Sequence, residues 1–166
     1  MERRIIVDHL VVTYNGLFSM REVYRMIDFW FMEKGYTKHE VIVKEDDGEH
    51  GKKFFMCTEP YRKISDYVKY VIRCEVECRD VKEVEVEKDN ALIKMNFGEC
   101  NVVVTGYVVT DYKGRWIKDG FTYFLRGLFD RYVWRNYIAK GESGLVDECN
   151  HLVSQVKGLL NLYRYQ

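Results

Sequence analysis

The chain has 166 residues with 26 basic and 26 acidic side chains, so it is formally neutral and carries no overall basic field to draw nucleic acid. At 47% hydrophobic it is too apolar to stay disordered, and at 31% charged it is too polar for an integral membrane protein. Twelve glycines and one proline leave no flexible linker, so residues 1–166 are expected to form a single domain.

The opening residues mix Arg3, Arg4 and Asp8 with Ile5, Ile6 and Val7, which breaks the apolar core a signal peptide needs. No apolar run is long enough to span a bilayer as a helix. Cys57, Cys74, Cys78, Cys100 and Cys149 form an odd set without tight spacing, unlike a secreted disulfide framework. A cytoplasmic location is expected.

In chain order, Arg4 to Tyr14 reads as a strand ended by an Asn15-Gly16 turn. Ser19 and Glu22 form a capping box for a helix whose apolar positions are Met20, Val23, Tyr24, Ile27, Trp30 and Phe31. Gly35, just past Lys34, is placed to end it. His39 to Lys44 and Lys53 to Thr58 read as strands, and Pro60 stops or edges the second.

From Tyr70 the alternation is clean: Tyr70, Ile72, Cys74, Val76 and Cys78 point one way, Arg73, Glu75, Glu77 and Arg79 the other. The parity breaks before Val84, which predicts a turn or bulge near Asp80. Val84 and Val86 then pair with Ile93, Met95 and Phe97 across Asp89-Asn90. Gly98-Glu99 offers another tight turn before a strand from Asn101 to Tyr112. The end reads as two helices, over 121–138 and from Leu145 onward, separated by a break at Gly141 to Gly144.

The expected fold class is therefore α+β: an antiparallel sheet of about seven strands, one helix after the first strand and two C-terminal helices. This order resembles the helix-grip fold of the START and polyketide-cyclase-like superfamily, and the sequence is similar in style to small archaeal proteins. The resemblance implies a curved sheet wrapped on a C-terminal helix, with a cavity between them for a lipid, sterol, polyketide or hormone.

The chemistry-bearing residues favour binding over turnover. Cys74 and Cys78 lie roughly 13 Å apart along one strand, too far to share a zinc ion, and read as buried core. His9, His39, His50 and His151 show no metal-ligand spacing. Glu83, Glu85 and Glu87 alternate with Val84 and Val86 as a solvated strand face does. The chain has no nucleophile elbow, phosphate-binding glycine loop or zincin motif. Neither metal nor cofactor is expected.

The 121–138 helix is apolar on two sides and must be sandwiched. Phe121, Phe124, Leu128 and Tyr132, with Tyr107 from the sheet, are the candidates to line a cavity. The first expectation is non-enzymatic binding of a hydrophobic small molecule, lipid-like or aromatic, between sheet and C-terminal helix. The alternative is a protein- or RNA-interaction module presenting Tyr123, Arg131, Trp134 and Arg135. Residues 115–140 carry a net charge of +4, which gives that surface a modest basic character. The tyrosines fit either reading, as cavity lining or as filling at the junction of sheet and helices.

Overall fold

The computed structural model describes residues 2–48, 50–88, 91–112, 127 and 135–164. The strands are β1 (Glu2–Phe18), β2 (Glu40–Gly48), β3 (Gly51–Thr58), β4 (Tyr61–Lys63), β5 (Val68–Lys88) and β6 (Ala91–Thr110). The helices are α1 (Met20–Glu33) and α2 (Arg135–Arg164). The strands form one antiparallel sheet in the order β1-β6-β5-β3-β2, with β4 pairing on β5. No helix among the described residues is long and apolar enough to cross a membrane.

The expectation of about seven strands and two C-terminal helices is corrected. Among the described residues there are six strands, and one continuous α2 runs through Gly141 and Gly144, where a break is expected; residues 121–126 and 128–134 of the expected first C-terminal helix lie outside the described residues. The strand count falls because β5 runs on past Asp80 and β6 past Gly98-Glu99, each joining two expected strands, while the short β4 adds one. Asn15 and Gly16 pair with Glu99 and Gly98, so both segments continue through their turn-like residues as ladder partners. A neighbouring strand satisfies the backbone groups that an isolated Asn-Gly or Gly-Glu pair would turn inward. In α2, each glycine costs about 1 kcal/mol of helix propensity, which the burial of Leu145, Cys149, Leu152, Val156 and Leu160 outweighs.

Other local signals hold. Ser19 Oγ accepts from the Glu22 amide at 3.4 Å, and Gly35 at φ 72 follows the last turn of α1. The ladder between β5 and β6 shifts register between Arg79 and Lys82, with Asp80 at φ 53, so of the turn or bulge that the parity break predicts, the bulge forms. Beyond it, Val84 faces Met95 and Val86 faces Ile93.

One face of the sheet is sealed. Ile72, Cys74, Val76, Cys78, Cys100, Val102 and Val104 are fully buried on it. They meet Val23 and Ile27 of α1 and Leu145, Cys149, Leu152 and Val156 of α2 in one core. Gly106 sets the approach of α2: a Cβ there would sit 2.9 Å from Cys149 Sγ and 3.4 Å from Leu145 Cγ. Helix and strand touch at backbone distance, which only glycine permits.

All five cysteines are buried and free. Burial pushes the Cys74 and Cys149 thiols up to about 12. Cys78 and Cys100 face each other across β5 and β6 with their sulfurs 3.4 Å apart. The Cys78 thiol donates in that contact and is held well above its ordinary range by the bond and by burial.

Candidate functional site

The apolar cavity beside α1 begins with the helix itself. Val23, Ile27, Trp30 and Phe31 face the core, as the periodicity predicts. Arg25, Asp28, Phe29 and Met32 recur at spacings of three and four on the side turned away from it. Phe29 is 61% exposed and Met32 69% exposed, so α1 carries a second apolar strip that the sheet does not cover.

After Gly35 the chain folds back along this strip. Tyr36 is buried, the Thr37 and Tyr61 backbones bridge, and Thr58 Oγ1 donates to the His39 carbonyl at 2.9 Å. The result is a cavity of about 380 Å³ between the end of α1 and the β3–β4 connection. Phe29, Phe31, Met32, Tyr36 and Pro60 supply its apolar lining, and Arg25, Asp28 and Lys38 sit at its mouth. Lys38 Nζ pairs with Asp28 Oδ2 at 2.8 Å, leaving the mouth with one net positive charge from Arg25.

The back wall is rigid. Tyr36 donates its hydroxyl to Glu148 Oε2 at 2.6 Å and stacks on Trp30 with ring centres 6.2 Å apart. Arg62 donates to Glu148 Oε1 and to the Lys34 carbonyl, each at 2.8 Å, and covers the Tyr36 ring at 4.9 Å. Trp30 Nε1 donates to His151 Nδ1 at 2.8 Å. These bonds lock the end of α1 to β4 and α2. Burial and the Glu148 carboxylate push the Tyr36 phenol well above its ordinary range, so it stays neutral and keeps donating.

The lining offers apolar contact surface and a cationic rim. Its two hydroxyls, on Tyr36 and Thr58, are already donating to protein acceptors. This arrangement suits the retention of a ligand with an apolar body and an anionic end.

The sequence-predicted residues are distributed differently. Tyr107 lies between Gly106 and Val108, so alternation turns it to the sheet face opposite α2, where the Arg3 guanidinium stacks 3.7 Å from its ring centre. It does not line a cavity beneath α2. Phe121, Tyr123, Phe124, Leu128, Arg131, Tyr132 and Trp134 lie outside the described residues. Arg135 begins α2.

Sequence reasoning missed Phe29 and Met32. Their signal was present: two large apolar residues three apart on the helix side opposite the core stripe. Compared with protein-family models, with curated proteins and with solved structures, the chain matches none of them. The helix-grip resemblance therefore rests on element order alone.

Proposed function

We propose that the protein binds a hydrophobic small molecule bearing an anionic group, and that it holds this ligand in the cavity beside α1. The observation that carries the reading is the pairing of exposed Phe29 and Met32 with a 380 Å³ apolar cavity. That volume lies within the roughly 300–1,000 Å³ range of small-molecule sites. Covering a Phe or Met side chain is worth about 1.5–3 kcal/mol, so two such contacts supply about 3–6 of the roughly 8 kcal/mol that micromolar binding needs. The net positive charge that Arg25 leaves at the mouth favours a carboxylate or sulfonate over a neutral head.

The test is a titration with dodecanoate and with dodecanol. Dodecanoate is expected to bind more tightly. The combined variant Phe29→Ala/Met32→Ala is expected to weaken it by about tenfold or more. Arg25→Glu is expected to abolish the preference for the carboxylate while leaving dodecanol binding in place. Equal binding of dodecanoate by the wild type and the Phe29/Met32 variant contradicts the proposal.

A further inference from the structure

On the opposite face of the sheet, we propose a second site, for a phosphorylated nucleoside. β4 folds against β5 so that Tyr61 lies opposite Val71 and Lys63 opposite Lys69. With Arg3 from β1 and Tyr112 after β6, these residues enclose a cavity of about 600 Å³, large enough for a mononucleotide. Its floor is apolar: Val71 and Val109 are both buried although they point away from the core.

Three features of the walls specify the ligand. The first is charge. Lys63 and Lys69 occupy directly opposed ladder positions, where like charges repel. The cavity lining sets three cationic side chains, Arg3, Lys63 and Lys69, against the one carboxylate of Glu59, which is engaged by Arg3 and Arg73, so an arriving phosphate meets a net positive wall. The second is aromatic packing around the cation: Lys69 Nζ sits 5.3 Å from the Tyr61 ring centre and 5.7 Å from that of Tyr112. Tyr112 is held in place by donating its hydroxyl to the Ser65 carbonyl at 3.0 Å.

The third is a flat platform. Arg3 is stacked on Tyr107 and tethered by donating to Glu59 Oε1 at 3.2 Å. Glu59 is steadied in turn by Arg73, 3.7 Å away. A guanidinium fixed in this way presents its free face to the cavity, and such planes stack on nucleobases. Phosphate at Lys63 and Lys69 with a base on the Arg3–Tyr107 stack uses both ends of the cavity. An inorganic anion uses only one.

Calorimetric titration with AMP, UMP, adenosine, inorganic phosphate and a hexa-adenylate tests the assignment. A nucleoside monophosphate is expected to saturate the site. Adenosine and phosphate alone are each expected to bind at least about tenfold more weakly. Lys63→Ala/Lys69→Ala is expected to lower nucleotide affinity by about tenfold or more and to flatten its salt dependence. Arg3→Ala is expected to lower nucleotide affinity while leaving that for phosphate unchanged. Should the double variant lose its fold by circular dichroism, the exposed Lys63→Ala alone is the probe. A hexa-adenylate about tenfold tighter than AMP supports the site with a single strand as its source, whereas equal affinity supports it with a free nucleotide. Phosphate binding as tightly as AMP overturns the proposal, as does failure of both nucleotides to bind or unchanged affinity in the lysine variants.

Discussion

The two helices contact the same face of one sheet and use their apolar residues differently. α2 spends a single stripe, Leu145 to Leu160, directly on the sheet, drawn in to backbone distance by Gly106. α1 has two strips: one buried with Trp30 and Phe31, the other open with Phe29 and Met32. Apolar surface that a fold leaves uncovered costs solvation without contributing to stability, and a contiguous patch of it marks a binding surface. The difference separates a helix that holds the sheet together from one that also builds a cavity wall.

Mutation sharpens that contrast most strongly at α2. Leu152 is fully buried, so Leu152→Ala is expected to destabilise the protein by about 2–5 kcal/mol in urea unfolding. A loss below about 1 kcal/mol would mean that α2 is not the packing helix.

Alkaline titration probes the same interface. The Cys149 thiol ionises near 9.0 under ordinary conditions but only at about 12 when folded, as does Cys74. Between those values the folded state keeps a proton that the unfolded state has lost. The stability present below about pH 9 therefore drains away as pH rises toward 12, by about 1.4 kcal/mol per pH unit for each thiol. Unfolding free energies of Cys149→Ala measured across this window are expected to fall less steeply than those of the wild type, by one such increment. Identical slopes would place the thiol in a solvated site.

The smallest effect is expected at the open strip. Phe29→Ala should change stability by no more than about 0.5 kcal/mol, because that side chain leaves water only when a ligand arrives. A loss comparable to that at Leu152 would make Phe29 a core residue and remove the basis for the cavity.

Much of this architecture was legible where local rules act alone. The Ser19 cap, the alternation from Tyr70 to Arg79 and the bulge at Asp80 follow from residue spacing and from φ preferences within a few positions. Pro60 separates β3 from β4 as its missing amide dictates. The errors arose where a distant partner decides. Asn15-Gly16 stays extended because Gly98-Glu99 lies across from it, more than 80 residues away in sequence. Gly141 and Gly144 stay helical because the packing of α2 outweighs their propensity.

The candidate site was less legible than the fold for the same reason. Phe29, Tyr36 and Pro60 come together only once the chain after α1 turns back and the Thr37–Tyr61 bridge closes. Arg3, Lys63 and Tyr112 likewise meet only through strand pairing. Tyr107 is a cavity candidate by residue type, but it stands next to inward-facing Gly106, and strand alternation sends it outward.

Where an apolar ligand rests is the question that tests the account most directly, and isotope-edited NMR of the protein with bound dodecanoate answers it. Intermolecular NOEs from the ligand's methylene chain are predicted to the Met32 methyl group and the Phe29 ring, with the carboxylate end nearest Arg25 and Lys38. NOEs to Leu145 and Leu152 instead, with none to Met32 or Phe29, would place the ligand between the sheet and α2 and contradict the assignment of the cavity beside α1.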